Sequence, residues 1–184
     1  MKFFIISDPH FNHMNIATYC DRPTNFTELI IKRCQERVSM DDTVLCLGDV
    51  FMHKAEGWAA IHPQLPGKWV LIRGNHDRKR SCSWWMDNGF EFACDSMIFK
   101  GCWLTHEPAE SLPFGCHLNI HGHLHNIWDG FHVDPVDNTH LIRKLKNPWQ
   151  RLFAIEYTDY CPIEFDHFVS HPDRYKSRGP NAQS

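Results

Sequence analysis

The sequence predicts an α/β fold in which two packed sheets are flanked by helices. Apolar strand-like runs alternate with amphipathic helical segments through the first half of the chain, which is typical of a parallel sheet. The second half holds short strand-like runs with little room for helices between them, which indicates a strand-rich return. The 184 residues, of which 42% are hydrophobic, suffice for one domain with a substantial core.

The first half of the chain contains three predicted strands and three predicted helices in alternation. Each strand is a short apolar run that ends at a polar turn or a glycine, and the helices carry apolar residues at helical spacing. The first helix begins after Asn25, which stands three residues before Glu28 as in a capping box. The predicted strands are residues 2–7, 43–47 and 69–73, and the predicted helices are residues 26–38, 55–65 and 83–88.

The second half is predicted to consist mainly of strands, at residues 96–99, 102–105, 118–121 and 152–157. We expect a single domain over residues 1–170, because no repeat or linker interrupts it. Residues 171–184 are rich in proline, glycine, serine and charge, which indicates a loose tail. In open α/β sheets, binding sites form beyond the carboxyl ends of the strands, so we expect the site at that edge.

Composition argues against some classes of function. The formal charge is −3, from 19 basic and 22 acidic side chains, which gives no general attraction to nucleic acid or to an anionic membrane. No apolar span approaches transmembrane length, and the apolar stretch near Met1 is too short for a signal peptide. The 8 cysteines form no Cys-x-x-Cys pair, so we expect reduced thiols in a cytoplasmic protein with no membrane partner.

Histidine is unusually frequent, with 14 residues, and several histidines lie in five short segments that each follow a strand-like run. The segments are Asp8-Pro9-His10, Gly48-Asp49, Gly74-Asn75-His76-Asp77, Thr105-His106 and Gly122-His123-Leu124-His125. Side chains this scattered have no reason to recur at strand ends unless the fold brings them together. We therefore predict that they form one site.

The donor atoms in these segments fit two divalent metal ions. Without His76 and Asp77 they comprise four imidazoles, two carboxylates and one amide, and Asp49 is the natural carboxylate to be shared by both ions. A nitrogen and oxygen donor set without thiolate favours Mn, Fe, Zn, Ni or Co over a structural zinc, and we expect manganese first. Two ions roughly 3.5–4 Å apart suit hydrolysis at phosphorus by attack of a bridging hydroxide. We predict that His76 stabilises developing charge or protonates the leaving oxygen, and that Asp77 orients its ring.

In this order the five segments resemble the motifs of the calcineurin-like metallophosphoesterase superfamily. That pattern is D-x-H, G-D, G-N-H-D/E, a histidine and G-H-x-H, and residues 3–125 contain all of it. The resemblance implies a four-layered α/β/β/α sandwich with His76 as the catalytic histidine. It further implies a first metal site of Asp8, His10, Asp49 and His125, and a second of Asp49, Asn75, His106 and His123.

The opening loop is similar to that of a branch of small bacterial and phage-encoded phosphoesterases. Asn12 stands where that branch usually has glycine, and Arg22-Pro23 follows. A phage-encoded protein that acts in the host cytoplasm would suit this resemblance.

Four side chains are candidates for contact with the substrate. Asn12, His13 and Arg22 follow the first ligands on a loop, and hydrogen bonds within that loop explain them equally well. Arg73 is suited to pair with a phosphate, but it also ends a buried strand, where an ion pair within the fold explains it as well.

Residues 126–150 and the basic side chains near them are the least explained part of the sequence. A lid that holds a phosphate-bearing substrate against an aromatic ring is one interpretation, and a solvated loop is the favoured one. The aromatic residues are Trp128, Phe131 and Trp149, and the basic ones are Arg143, Lys144, Lys146 and Arg151.

The predicted function is hydrolysis of a phosphodiester in a small nucleotide, a cyclic phosphate or an exposed nucleic-acid phosphate. The motifs carry no cluster of additional cations, such as a monoester dianion would need. A phosphomonoesterase or protein phosphatase and a nuclease of the same fold are the alternatives, and the acidic net charge disfavours long nucleic acids. A non-catalytic binding module is disfavoured because every ligand position and His76 are filled. The expected partner is a small phosphoester or nucleotide substrate.

Overall fold

The computed structural model describes residues 1–52, 55–126, 131–133, 140–142 and 147–175, with backbone alone for residues 55–56, 131–133 and 140–142. The strands are β1 (Phe3–Ile6), β2 (Thr43–Cys46), β3 (Lys68–Ile72), β4 (Phe92–Cys94), β5 (Ser96–Phe99), β6 (Cys102–Thr105), β7 (Leu118–His121), β8 (Phe131–Val133), β9 (His140–Ile142), β10 (Gln150–Leu152) and β11 (Ile163–Glu164). The helices are α1 (Met14–Tyr19), α2 (Phe26–Arg37), α3 (Ala55–Ile61), α4 (Cys82–Asp87) and α5 (Phe165–Ser170). None of these helices is long and apolar enough to span a bilayer.

The first sheet has the strand order β11-β1-β2-β3-β4. Strands β1 to β4 are parallel to one another, and the edge strand β11 is antiparallel to β1. Three consecutive residues in each of β1 and β2 are buried, as expected for a parallel sheet that is covered on both faces. The parallel sheet predicted from the alternating first half is confirmed.

The second sheet has the order β10-β7-β6-β5. Strands β6, β7 and β10 are parallel, whereas β5 is antiparallel to β6. The ring of Phe3 on β1 lies 4.7 Å from the ring of Phe99 on β5, which packs in turn against Phe165 of α5 at 5.0 Å. Two packed sheets with helices confirm the predicted α/β/β/α class. Strands β8 and β9 form a separate antiparallel pair.

An aromatic cluster packs between α3, α4 and the loop after β2. Trp58 stacks on Phe51 with 5.8 Å between ring centroids, and on Phe90 at 5.2 Å. Trp85 is fully buried and meets the edge of the Phe51 ring at 5.5 Å. The interpretation of Trp84-Trp85 as core therefore holds for Trp85, while Trp84 is half-buried at the margin.

Several predicted elements differ from the structure at their ends. Helix α2 begins at Phe26 as predicted, but the side chain of Asn25 makes no capping hydrogen bond. The strand predicted at residues 152–157 is wrong, because β10 ends at Leu152 and a 3₁₀ turn follows over Ile155–Thr158. Residues 153–155 are all buried, a run that a strand with one exposed face could not produce.

The segment predicted as a loose tail begins in contact with the domain. The Tyr175 ring lies 5.5 Å from the ring of Phe168 in α5. Residues 176–184 lie outside the described part of the chain. Six elements that the sequence did not predict have six residues or fewer, which is too short for a hydrophobic period to show. They are α1, β4, β8, β9, β11 and α5.

Candidate metal centre and its surroundings

The predicted ligands lie at the carboxyl ends of strands from both sheets. The loops after β1, β2 and β3 carry the first four, and those after β6 and β7 carry the other three. Backbone hydrogen bonds hold these loops together: Asp8 N–H donates to Gly48 O at 3.0 Å, and Gly122 N–H donates to His106 O at 2.9 Å. The parallel register therefore delivers these loops to one edge of the fold.

One group of donor atoms consists of Asp8, His10 and His125. Asp8 Oδ2 accepts hydrogen bonds from Ser7 Oγ at 2.5 Å and from His123 N at 2.9 Å. Asp8 Oδ1 is buried without a hydrogen-bond partner, 3.9 Å from His10 Nε2 and 3.8 Å from His125 Nε2. A buried acceptor that faces imidazole nitrogens in this way is costly unless a cation lies between them.

A second group consists of Asp49, His106 and His123, with Asn75 beside it. His106 Nδ1 donates to the carbonyl of Leu47 at 2.7 Å, so Nε2 of the neutral ring carries the lone pair. That Nε2 lies 3.0 Å from Asn75 Oδ1, 3.1 Å from His123 Nδ1 and 3.3 Å from Asp49 Oδ2. Burial disfavours a charged His106, but the neighbouring carboxylates outweigh it and raise its pKa to about 9. The same carboxylates would favour a metal cation beside His106 Nε2.

Asp49 lies between the two groups. Its Oδ2 is 3.7 Å from His10 Nε2 and 3.3 Å from His106 Nε2, while Oδ1 accepts the N–H of His76 at 3.0 Å. Burial alone would raise the Asp49 pKa, but the hydrogen bond and charge of His106 and the charges of His10 and His76 lower it well below the usual range. The anion is therefore stable in the position that a shared ligand requires.

The backbone of these loops is strained where the ligands occur. Five of the seven predicted ligands have positive φ angles, a conformation that non-glycine residues adopt rarely and at a cost of about 1–3 kcal/mol. Those residues are Asp8 (53°), His10 (47°), Asp49 (54°), His123 (67°) and His125 (51°). Such strain persists only where the surrounding contacts impose it, and it is common at functional sites.

His76 lies at the open side of the metal centre. Its side chain is 31% exposed, and Nε2 is 3.7 Å from Asp49 Oδ2. The ring is 5.7 Å from that of His10, nearly perpendicular to it. This histidine is therefore close enough to both groups to reach a substrate that they hold.

Asp77 has a different position from the one predicted. Its buried carboxylate accepts the N–H of Asp49 at 2.6 Å, of Gly74 at 2.8 Å and of Val50 at 3.1 Å. Burial and the charge of Asp49 raise its pKa to about 7. Instead of orienting the His76 ring, Asp77 ties the loop after β2 to the loop after β3.

Gly74 allows these two loops to approach each other. A Cβ on this residue would overlap the carboxylate and the backbone nitrogen of Asp49. We expect Gly74→Ala to lower the free energy of unfolding by about 1–3 kcal/mol, as overpacking typically does, and to weaken metal binding by displacing Asp49. Urea unfolding of the metal-free protein and a metal titration would measure both effects.

Gly115→Ala is the control for an added methyl group that meets no neighbouring atom. Gly115 has a φ of 83° but nothing within 4 Å of its would-be Cβ. We expect it to lose about 1–2 kcal/mol through its backbone alone and to bind metal as the wild type does. Unchanged metal binding in Gly74→Ala would contradict the steric explanation.

The two arginines predicted to contact substrate are both engaged within the protein. Arg22 is buried and pairs with Glu156 at 2.7 Å, and it also donates to the carbonyls of Asp8 and Pro9. Arg73 pairs with Asp95 at 2.7 Å. Ion pairs within the fold therefore account for the positions of both residues, and contact of either with substrate stays a prediction.

Asn12 and His13 lie on the loop after β1, beyond His10. Asn12 is exposed, with a φ of 60°, and its N–H donates to Thr27 Oγ1 at 2.8 Å. The His13 ring lies 5.6 Å from the ring of His10. Contact with substrate by either residue stays a prediction.

Glu156 is the residue of this region that the sequence did not reveal. Burial would raise its pKa, but the charges of Arg22 and His125 lower it to about 2, so it is an anion behind the first group. It falls where a strand was predicted, and no motif marks it. The lone acidic residue in an apolar stretch of the sequence was the available signal.

The other histidines stand outside both donor groups as far as they are described. His117 is exposed, and His121 is buried and donates to Gly122 O at 2.9 Å, with burial lowering its pKa to about 4. His53 and the side chains of His132 and His140 lie outside the described residues.

Of the basic residues near the unexplained stretch, the structure describes Arg151. Its guanidinium donates to the carbonyls of Phe168 and Val169 at the end of α5, so it stabilises that helix. Arg143, Lys144, Lys146 and Trp128 lie outside the described part of the chain, and the lid interpretation stays a prediction.

Comparisons with known proteins agree with this geometry. The family described as calcineurin-like phosphoesterase matches residues 1–181. The chain is 33% identical over 177 residues to MJ1445, an uncharacterized protein of Methanocaldococcus jannaschii. This alignment covers 91% of this chain and 89% of that protein. It is also similar to the crystal structure of AQ665, a protein of unknown function from Aquifex aeolicus, with a TM-score of 0.65 and 25% identity over 92% of this chain and 98% of that one.

Proposed function

The chain belongs to the calcineurin-like phosphoesterase family and is a metal-dependent phosphoesterase, and from that premise we propose that it hydrolyses phosphodiester bonds. The observation that carries the proposal is the position of Asp49, whose Oδ2 lies between two converging donor groups. Asp8 Oδ1 and both ring nitrogens of His10 are buried without a hydrogen-bond partner. Bound cations would compensate for the cost of burying these polar atoms.

We assign Asp8, His10, Asp49 and His125 to the first divalent ion, and Asp49, Asn75, His106 and His123 to the second. When bound, the two ions would acidify the attacking water and neutralise phosphoryl oxygens. Manganese is the favoured ion, since imidazole, carboxylate and amide donors suit it.

His76 is the proposed catalytic residue. Its side chain is partly exposed, with Nε2 3.7 Å from the proposed shared carboxylate, and its backbone N–H donates to Asp49 Oδ1. From there the imidazole reaches the leaving oxygen of a bound ester, to which it can donate a proton.

The proposed preference for a diester rests on the ion pairs that Arg22 and Arg73 form within the fold. Arg22 is neutralised by Glu156 and Arg73 by Asp95, so neither offers a charge to the second negative charge of a monoester. A small nucleotide, a cyclic phosphate or an exposed nucleic-acid phosphate would carry a suitable diester. We place the reaction in the cytoplasm, with thiols reduced and no membrane partner.

The test compares two chromogenic esters on metal-stripped protein titrated with Mn²⁺. We expect turnover of bis-p-nitrophenyl phosphate to appear only with metal and to saturate at two ions per chain, with p-nitrophenyl phosphate cleaved more slowly. A preference for the monoester would favour a phosphomonoesterase or protein phosphatase. Two bound ions without cleavage of either ester would contradict the broad diesterase and leave a narrow substrate to be sought among nucleotides and short nucleic acids.

A further inference from the structure

A buried ion pair lies directly behind the first donor group. The side chains of Arg22 and Glu156 are 0% and 5% exposed, and Glu156 Oε1 accepts from Arg22 Nη2 at 2.7 Å and from Nε at 2.9 Å. Two buried charges of this kind cost several kcal/mol each in lost hydration, so the pair needs a compensating use or excellent geometry.

The pair contacts the His125 side chain and the backbone of the turn that carries Asp8 and His10. His125 Nδ1 lies 3.4 Å from Glu156 Oε1, while Nε2 of the same ring faces Asp8 Oδ1 at 3.8 Å. Arg22 donates to the carbonyl of Asp8 at 2.9 Å and to that of Pro9 at 3.1 Å, which fixes the turn on which His10 lies.

The arrangement selects one tautomer of His125. Arg22 Nη2 lies 3.3 Å from His125 Nδ1, but its two hydrogens are already directed to the shorter contacts with Asp8 O and Glu156 Oε1. The Nδ1 hydrogen of His125 is therefore free to point at the carboxylate of Glu156. The lone pair is then on Nε2, directed toward Asp8 Oδ1.

A separate metal site at this position is disfavoured. Cys20, His125 and Glu156 converge closely enough to suggest one. The guanidinium of Arg22 already provides the cation there, in contact with the Glu156 oxygen. The cluster is better explained as support for the first metal site than as a third one.

We propose that Glu156, held by Arg22, is a positioning residue that orients His125 toward the first metal ion. It has no such effect on the ligands of the second ion. The inference rests on the proposed assignment of Asp8, His10 and His125 to that ion. Carboxylates that accept the second imidazole N–H of a metal-bound histidine typically improve metal affinity by about 10- to 100-fold. Within the described part of the chain, Arg22 and Glu156 form no hydrogen bond or ion pair with a side chain of the second group, so the effect is specific to one site.

The experiment measures Mn²⁺ binding by calorimetry and by metal analysis after dialysis. In Glu156→Gln we expect one ion per chain to bind about 10- to 100-fold more weakly and the other to bind as in the wild type. Glu164→Gln is the matched control, because Glu164 is 41% exposed and pairs with Lys2 at the surface. We expect it to bind both ions normally.

Two variants, each of which lacks one metal site, identify the site that loses affinity when Glu156 is changed. In His10→Ala, the additional change Glu156→Gln should alter the affinity of the remaining ion by no more than about twofold, as independent sites do. In His123→Ala, where the first site remains, the same change should again weaken binding about 10- to 100-fold.

Glu156→Asp keeps the negative charge that Arg22 requires but places it one methylene farther from His125. If the Gln variant does not fold, the Asp variant carries the same expectation. A ¹⁵N NMR spectrum of the metal-free protein, recorded at a pH high enough for His125 to be neutral, gives a second measurement, in which His125 should shift from the Nδ1–H tautomer toward a mixture in either variant. Folded variants that bind both ions as tightly as the wild type would overturn the inference but not the proposed function. A wild type that binds fewer than two ions would overturn both.

Discussion

Asp49→Asn is expected to lower kcat/KM by roughly 10³-fold, because a shared carboxylate supports both ions and metal charge supplies several kcal/mol of transition-state stabilisation. The amide keeps the size of the side chain, and its oxygen can still accept the N–H of His76, as Oδ1 does at 3.0 Å. What it removes is the negative charge 3.7 Å from His10 Nε2 and 3.3 Å from His106 Nε2. Steady-state hydrolysis over a range of Mn²⁺ concentrations would measure the loss.

Asp166→Asn is the control for that change, because Asp166 is a surface carboxylate that pairs with Lys100 at 2.7 Å. It should retain wild-type turnover and metal stoichiometry. If Asp49→Asn were as active as this control at every metal concentration, Asp49 could not be the ligand common to both ions.

The convergence of the predicted ligands was predictable because each lies within four residues of the end of a strand. A buried parallel strand has a fixed register, so the side chains at its carboxyl end are delivered to a known edge of the sheet. Asp8 follows β1 by two residues, and His106 follows β6 at once. Residue type and position were enough to place these side chains, without knowledge of the loops.

The surroundings of the ligands were less predictable because they depend on contacts between distant loops. Asp77 and His76 are adjacent in sequence, but successive residues in a 3₁₀ turn project about 120° apart, and the two side chains point in different directions. Arg22 and Glu156 are 134 residues apart, and the burial of each charge depends on the other. No periodicity marks such a pair, and the strand predicted at residues 152–157 would have pointed alternate residues to opposite faces.

His76→Ala is expected to leave two ions bound and to lower kcat by about 10²- to 10⁴-fold, the usual range for loss of a positioned acid. Its side chain is 31% exposed beside Asp49 and belongs to neither donor group, so metal binding and catalysis should separate in this variant. The size of the loss should depend on the ester. A p-nitrophenolate leaves readily without a proton, whereas an alkoxide does not, so an alkyl phosphodiester should show the larger decrease.

His117→Ala provides the comparison, since His117 is exposed and outside both donor groups, and it should hydrolyse both esters at the wild-type rate. An equal decrease for aryl and alkyl esters in His76→Ala would instead assign His76 to the charge on the phosphoryl oxygens, because that stabilisation is independent of the leaving group. A decrease accompanied by loss of one ion would make His76 a ligand. The ratio of the two rates, measured at saturating metal, therefore decides which atom of the substrate this imidazole serves.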